Sequence, residues 1–243
     1  MSKRRAVLIG GSAKVAPAIA RELAGRGYEI IVGFRSGRET AEVCMEISRE
    51  KGVDARAMHI DLQEAASVES FSRELGEEPV DVLVHAAGAF EEADLKDTTE
   101  AMFLEHMRTN AIGPALLTER LRSRLAASDQ RDGACVVFFG DIHAEMVPRP
   151  GATAYLTSKA ATHALVRMLA LDLAPTRVVG IAPGVVSWPD DWPVQRRQRY
   201  LEHVPLGREG TPEDVARLLG ALVEDAGYVT GTIIPLDGGR HLR

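Results

Sequence analysis

The chain alternates short, continuously apolar runs with longer amphipathic segments, and this alternation restricts the fold more than any other feature. The apolar runs predict strands at residues 6–9, 29–34, 55–60, 80–86, 135–139, 178–182 and 232–236. The segments between them predict helices at 15–25, 38–51, 65–75, 98–127 (interrupted near Gly113-Pro114), 154–173 and 212–223. Strands that are apolar on both faces are typical of a parallel sheet covered by helices on both sides. The sequence therefore predicts an α/β fold with a doubly wound parallel sheet.

Length and charge favour a single domain over residues 1–243. A chain of 243 residues without an internal linker is compatible with one α/β domain. Its 29 Lys and Arg against 35 Asp and Glu give a net charge of −6, and 45% of its residues are hydrophobic. This composition excludes a disordered chain and a general nucleic-acid binder. The first 40 residues differ, because eight basic side chains face only three acidic ones there.

Cysteine content and hydropathy suggest where such a chain would work. Cys44 and Cys135 both lie in apolar periodic stretches, which predicts no disulfide scaffold and a reducing, cytoplasmic setting. The first apolar run ends at Gly10-Gly11, too early for a targeting segment. The sequence has no run of about 18 apolar residues, so we expect no membrane span.

The loop after the first predicted strand has the composition of a phosphate-binding turn. It begins at Gly10 and reaches Lys14 and Val15 before the first helix. Doubly wound sheets bind ligands beyond the carboxyl ends of their strands, where small residues admit a phosphate to the N-terminus of a helix. Two adjacent glycines are equally compatible with a tight turn that binds nothing, so this loop needs a second indication.

Charge at the end of the second strand provides that indication. A preference for NAD usually shows as an acidic residue about 20 residues after the first glycine. Here the end of the second strand reads Val32-Gly33-Phe34-Arg35-Ser36, with no acid. Arg35 and Ser36, with Lys14, would bind a 2′-phosphate through charge-assisted hydrogen bonds, which favours NADPH over NADH. The alternative is that Arg35 is a solvated charge at a strand end.

Tyr155 and Lys159 open the long helix that follows the fifth strand. Positions i and i+4 share a helix face, so the phenol and the ammonium are expected together. A nearby ammonium lowers the pKa of a tyrosine and makes it a proton donor near neutral pH. Such a pair is often a surface pair, but its position at the carboxyl edge of a parallel sheet favours catalysis.

With these residues the sequence resembles the short-chain dehydrogenase/reductase family over its whole length, which implies a Rossmann-type fold. The matching motifs are the turn at Gly10, Asp61-Leu62, Ala87-Gly88, Asn110, Tyr155-x-x-x-Lys159, Pro183-Gly184 and Asp237-Gly238-Gly239. The resemblance implies that Tyr155 is the general acid, that Lys159 holds the nicotinamide ribose, and that Asn110 supports a water leading to Lys159. The resemblance also implies a homotetramer. It implies further cofactor contacts by Ala87 and Gly88, by Asp61 and Leu62 at the adenine, and by Pro183 and Gly184 at the nicotinamide.

One departure from the family pattern bears on the substrate. Most members carry a serine about 13 residues before the tyrosine, whereas this chain has Asp141 fourteen residues before Tyr155. This arrangement is similar to the pteridine reductase branch of the family, as are Lys14, Phe34-Arg35-Ser36 and Phe90. A ketone oxygen needs a hydrogen-bond donor, which a carboxylate is not, while a pterin presents N–H groups that a carboxylate accepts.

The leading hypothesis is therefore an NADPH-dependent reductase of pterin or dihydrofolate-type C=N bonds. Tyr155 and Asp141 would handle the proton, and Phe90 would stack the flat ring. The alternative for Asp141 is a carboxylate that only fixes its loop, and for Phe90 an ordinary apolar lid residue. The alternative function is a ketone or 3-oxoacyl-thioester reductase, and a third is an NADPH-binding redox sensor without turnover.

Two further groups of residues have uncertain roles in the sequence alone. The segment from Trp188 onwards lies where the family carries its substrate lid, and it is equally compatible with a flexible surface excursion. Within it, the basic run 196–199 is interpreted as a solvated helix face. The seven histidines form no metal-binding pattern, and His85 is interpreted as a packing residue.

Overall fold

The computed structural model describes residues 3–11, 13–188 and 192–243. Within these ranges, seven strands form one parallel sheet in the order β3-β2-β1-β4-β5-β6-β7. The strands are β1 (Arg5–Ile9), β2 (Glu29–Phe34), β3 (Ala55–His59), β4 (Val82–His85), β5 (Cys135–Phe139), β6 (Arg177–Pro183) and β7 (Ile233–Leu236). The order reverses beside β1, which is the topology of a doubly wound sheet. The predicted fold class is confirmed.

Helices connect successive strands. They are α1 (Ala16–Gly25), α2 (Arg38–Glu50), α3 (Ala65–Leu75), α4 (Glu100–Met107), α5 (Gly113–Arg120), α6 (Arg122–Ala126), α7 (Thr153–Asp172), α8 (Val194–Leu201) and α9 (Pro212–Glu224). Short 3₁₀ turns cover Leu95–Asp97, Ile142–Ala144 and Arg240–Leu242. The predicted interruption near Gly113-Pro114 is instead a π-helical turn, Arg108–Ile112, that joins α4 to α5 without ending the helical path. No helix in the described part of the chain is long and apolar enough to cross a membrane.

Each strand contributes side chains to two hydrophobic cores because successive side chains point to opposite faces of the sheet. In β1, Ala6 and Leu8 pack on the face covered by α1, α2 and α9, and Val7 and Ile9 on the face covered by α3, α5 and α7. All four side chains are buried. This is why the strands read as unbroken apolar runs. Cys44 and Cys135 are unpaired and buried, as their apolar surroundings predicted.

The crevice at the carboxyl end of β1 is shaped by a close backbone approach. The amide groups of Ala86 and Ala87, just after β4, both donate to the carbonyl oxygen of Ile9. Gly10 lies against this connection with φ +110°, and a Cβ there would collide with the Ala87 amide nitrogen. Glycine is thus required for two loops to meet, and these loops form the floor of the candidate site.

Candidate active site

Asp141 and Tyr155 form the central polar pair of the site. Asp141 follows β5, and Tyr155 lies in the first turn of α7. The Tyr155 hydroxyl donates to Asp141 Oδ2 at 2.9 Å, while Asp141 Oδ1 accepts from the backbone amide of His143 at 2.7 Å. The carboxylate therefore fixes its own loop with one oxygen, as one sequence interpretation of Asp141 has it, and binds the phenol with the other.

His163, which sequence reasoning missed, supports this loop from α7. Its imidazole is fully buried, and its Nε2 accepts from the Asp141 amide at 3.3 Å. Its Nδ1 then carries the proton and donates to Glu145 Oε2 at 3.0 Å. A Cβ at Gly140 would collide with His163 Nε2, so glycine is required just before Asp141. The only sequence signal was the position of His163 one turn after Lys159 on the same helix.

The electrostatics of Tyr155 differ from the prediction. Burial raises its pKa well above 10, and the negative charge of Asp141 raises it further. Lys159 Nζ lies 5.8 Å from the Tyr155 ring centroid and donates to the carbonyl oxygen of Phe139 at 2.8 Å. The prediction that Lys159 lowers the pKa of Tyr155 is therefore wrong here, because burial and Asp141 dominate. The phenol keeps its proton until an acceptor gains negative charge.

Lys159 remains a cation at neutral pH. Burial lowers its pKa to about 8, and the nearby Asp141 charge opposes that shift. Its side chain faces the cavity that also contains Gly88. The site thus contains one buried cation and one carboxylate on either side of the phenol.

Asn110 ties the loop after β4 to α7. Its side-chain amide donates to the Ala89 carbonyl at 3.1 Å and to Ser158 Oγ at 2.8 Å, and its oxygen accepts from the Ala89 amide at 2.9 Å. Its own carbonyl, inside the π-helical turn, accepts from Thr162 Oγ1 at 2.9 Å. These contacts make Asn110 a clamp between α7 and the loop that leads to Phe90.

Most of the predicted site residues lie around two adjoining cavities that share Phe90 and Tyr155, whereas Asn110 and Trp188 line neither. The first, of about 340 Å³, has the character of a nucleotide site and is lined by Gly10, Arg35, Ser36, Asp61, Leu62, Ala87, Gly88 and Lys159. The second, of about 550 Å³, is lined by Lys14, Val15, Asp141, Pro183 and Gly184. Lys14 therefore lines the second cavity, whereas Arg35 lines the first. The Lys14 ammonium donates to the Trp188 carbonyl at 3.2 Å.

The first cavity fits a dinucleotide. Its lining includes the small residues Gly10, Ala13, Ala87 and Gly88, which let a phosphate approach the backbone closely. The hydroxyl of Thr109, which lines this cavity, is buried without a hydrogen-bond partner in the described structure. Arg35 and Ser36 add a cation and a hydroxyl to the same lining.

The wall of the second cavity is aromatic and basic. Phe90 meets Tyr155 edge-on, with 4.8 Å between the ring centroids. Trp192 and Tyr200, both within the predicted lid segment, line the cavity, whereas Trp188 packs against them, 5.6 Å from each ring, and does not line it. The predicted lid also includes residues 189–191, which lie outside the described residues. The basic run 196–199 lies within α8.

His85 is a packing residue, as interpreted from the sequence. Its ring lies 4.6 Å from that of Phe138, and its Nε2 is 2.9 Å from Thr118 Oγ1. Burial lowers its pKa to about 3, so it is neutral.

A parallel doubly wound sheet with a nucleotide-type cavity and a tyrosine–lysine helix defines an oxidoreductase that uses a nicotinamide cofactor. The family model described as Enoyl-(Acyl carrier protein) reductase matches residues 11–241. The chain belongs to the short-chain dehydrogenase/reductase family, as its motifs predicted.

Named relatives cover nearly the whole chain. A 3-oxoacyl-(acyl-carrier-protein) reductase of Staphylococcus aureus is 28% identical over 246 residues, 98% of each chain. A blue fluorescent protein from a metagenomic library, solved in complex with NADPH, is 29% identical with a TM-score of 0.87 and covers 98% of this chain and 97% of its own. Acetoin dehydrogenase of Salmonella typhimurium is 26% identical with a TM-score of 0.85, covering 99% and 96%.

Proposed function

We propose that this protein is an NADPH-dependent reductase of pterin or dihydropterin- and dihydrofolate-type C=N bonds. The observation that carries the proposal is the Asp141 carboxylate, hydrogen-bonded to Tyr155 where the two cavities meet. Most members of the family carry a hydroxyl at the corresponding place. A site with a hydrogen-bond acceptor, Asp141, beside a donor, Tyr155, suits a substrate that presents a donor beside an acceptor.

Hydrogen-bonding capacity explains the fit. An ionised carboxylate only accepts, so Asp141 can bind a ring N–H or an amino group but cannot polarise a ketone oxygen. Tyr155 can donate its proton to the nitrogen of the C=N bond as that nitrogen gains charge. The cofactor, when bound, supplies the hydride to the carbon. Phe90, edge-on to Tyr155, gives a flat heterocycle an aromatic neighbour.

Lys159 and Asn110 complete the proposed proton-handling group. Lys159, positively charged at neutral pH and part of the lining of the first cavity, would bind the ribose hydroxyls of the cofactor. Asn110 holds the Ala89 segment against α7, which keeps Phe90 beside Tyr155. Both are positioning residues in this scheme, and Tyr155 is the residue that gives the proton.

A second candidate is a ketone or 3-oxoacyl-thioester reductase. The comparisons favour it over pterin reduction, because two of the relatives described above are named for 3-oxoacyl and acetoin substrates. In that reaction Tyr155 would protonate the oxygen, and a group other than Asp141 would have to supply the second donor. The carboxylate favours the first candidate and the relatives favour the second.

A substrate panel separates the two candidates. Dihydrobiopterin, dihydrofolate, acetoin and a 3-oxoacyl thioester are each supplied with NADPH, and oxidation is followed by the loss of nicotinamide absorbance. We expect turnover with the dihydropterins. Turnover restricted to acetoin or the thioester overturns the proposal in favour of the second candidate. Tight NADPH binding with no turnover of any member would favour the redox-sensor alternative.

The cofactor preference has its own test. Replacing Arg35 by Gln removes a charged hydrogen bond to a 2′-phosphate, worth about 1.5–3 kcal/mol, or roughly a 10- to 100-fold rise in the KM for NADPH. The KM for NADH should change by less than about threefold. Arg38→Gln is the matched control, because Arg38 is exposed and pairs with Glu42 at 2.9 Å. Equal effects on both cofactors would contradict a role for Arg35 in phosphate binding.

Domain extent, compartment and assembly stay proposals. We treat residues 1–243 as one domain because a single sheet spans the described chain. The two buried, unpaired cysteines are compatible with a reducing cytoplasm. A homotetramer is proposed from the family resemblance alone.

A further inference from the structure

Two arginines from different parts of the chain converge on one carboxylate beside the second cavity. Arg149 Nη1 binds Glu92 Oε1 at 2.8 Å. Arg196 Nη2 lies 3.2 Å from both Glu92 oxygens. Glu92 belongs to the loop after β4, Arg149 to the loop before α7, and Arg196 to α8. Three segments that surround the cavity therefore meet at this cluster.

The guanidinium groups also lie against the aromatic wall that surrounds the reacting centre. Arg149 Cζ is 5.9 Å from the centroid of the Phe90 ring, which itself meets Tyr155. Arg196 Cζ is 3.7 Å from the centroid of the Trp192 ring, a close cation–π contact. Both arginines line the same cavity as Asp141. A molecule bound at Tyr155 and extending outward would therefore pass them.

The charge of this cavity contrasts with that of the whole protein. Its described wall contains four basic side chains, Lys14, Arg149, Arg196 and Arg240, against the carboxylate of Asp141 and that of Glu92, which adjoins the wall through the two arginines. The chain as a whole has a net charge of −6. A local basic surplus on an acidic protein attracts an anion to the cavity and away from the rest of the surface.

The geometry points to a substrate subsite for an anionic group, a carboxylate or a phosphate, formed by Arg149 and Arg196. This inference rests on the proposed function of the same cavity and names its substrate class: a flat ring bound at Asp141 and Tyr155 with a negatively charged tail. Glu92 holds the two guanidinium groups together at the mouth of the cavity.

An incoming anion can join or replace Glu92 at small cost. The side chains of Glu92, Arg149 and Arg196 are 32%, 26% and 43% exposed, and ion pairs that water reaches in this way are weak. Each guanidinium has five N–H donors in a planar fork that matches carboxylate and phosphate oxygens. The contacts with Glu92 engage only one terminal nitrogen of each arginine. Donors remain for a second anion.

Paired substrates test the subsite directly. Dihydrofolate carries a glutamyl tail with carboxylates, while dihydrobiopterin carries a neutral side chain, and both present the same ring to Asp141. We expect the R149Q/R196Q double variant to lower the ratio of kcat/KM for dihydrofolate to that for dihydrobiopterin at least tenfold, mainly through KM. Arg199→Gln is the matched control, since Arg199 lies on α8, is exposed, and is outside the described cavity wall.

A second pair of probes identifies the source of the anion. The 3-oxobutanoyl thioesters of phosphopantetheine and of pantetheine differ only in a phosphate. If the double variant lowers the preference for dihydrofolate over dihydrobiopterin, the subsite binds a carboxylate tail. If it lowers the preference for the phosphopantetheine thioester over the pantetheine thioester, the subsite binds a phosphate. A double variant that leaves both ratios within twofold of the wild-type values overturns the subsite.

Failure of the proposed function is distinguishable from failure of the subsite. If no probe is turned over, the reductase proposal fails, and calorimetric titration of the NADPH-loaded protein with dihydrofolate and dihydrobiopterin decides the subsite. Weaker dihydrofolate binding in the double variant but not in R199Q supports it. Equal affinities of the wild-type protein and the double variant for dihydrofolate overturn it.

Discussion

Replacing Tyr155 by phenylalanine is expected to lower kcat by about 10²- to 10⁴-fold, the range that a positioned general acid contributes. The change removes the hydroxyl that binds Asp141 at 2.9 Å and keeps the ring. That ring stays 4.8 Å from Phe90 and 6.0 Å from His106, so its packing is preserved. Turnover is measured with whichever member of the substrate panel the wild-type protein reduces fastest.

The reason for so large an effect is the surroundings of the phenol. Tyr155 is buried, and its raised pKa keeps it protonated throughout the neutral range. The Kd for NADPH should change by less than about threefold, because the hydroxyl faces Asp141 and not the phosphate end of the first cavity.

Tyr228→Phe provides the matched control for the loss of a hydroxyl. Tyr228 is fully exposed, and its replacement should leave kcat and the melting temperature unchanged. A Tyr155→Phe variant with full turnover would exclude the phenol as the proton donor. A variant that lost NADPH binding together with turnover would instead indicate that Tyr155 shapes the cofactor site.

The fold was predictable because its determinants are local. A parallel strand buried on both faces is apolar at every position, and a helix between two strands is apolar on one side only. The π-helical turn was not predictable in this way. Asn110 binds Ala89 and Ser158 there, and these contacts depend on how α7 packs against α4, which the 98–127 pattern does not contain.

The polar pair of the site was predictable, but its electrostatics were not. Asp141 and Tyr155 both follow β5 at the carboxyl edge of the sheet, so their proximity follows from topology. The i, i+4 spacing placed Lys159 beside Tyr155 without indicating that its ammonium would turn to the Phe139 carbonyl. Burial, which decides the direction of the pKa shift of Tyr155, is a property of the packed structure.

The arginine pair and His163 were missed for a related reason. Glu92, Arg149 and Arg196 are far apart in the sequence, and each alone resembles an ordinary surface charge. His163 is one of seven scattered histidines, and its contact with the Asp141 amide appears only when α7 lies against the loop after β5. Such contacts join segments that the one-dimensional pattern treats as independent.

Asp141→Ser should exchange one substrate class for the other. The substitution replaces an acceptor by a hydroxyl that donates, which removes a charged hydrogen bond to a substrate N–H worth about 1.5–3 kcal/mol and gives a ketone oxygen its second donor. We expect kcat/KM for dihydropterins to fall about 10- to 100-fold and that for acetoin or a 3-oxoacyl thioester to rise, each measured with NADPH. Together the two changes shift the ratio by more than the roughly 10- to 100-fold fall alone.

The same substitution should move the pH profile in a defined direction. The Asp141 charge raises the pKa of Tyr155, so its loss stabilises the phenolate and lowers that pKa, while burial continues to hold it up. The part of the pH profile of kcat/KM that is set by deprotonation of Tyr155 should therefore move to lower pH. Asp141→Ala is the control, because it removes the charge without supplying a hydrogen-bond donor and should shift the profile while leaving ketone reduction low.

The loop itself should survive the change. Asp141 Oδ1 accepts from the His143 amide at 2.7 Å, and a serine hydroxyl can accept from the same amide at the start of a short turn. The Asp141 backbone amide keeps its contact with His163 whatever the side chain. An Asp141→Ser variant that melts normally and still prefers dihydropterins would show that the carboxylate fixes the loop only, and substrate choice would then have to come from the aromatic and arginine-lined wall.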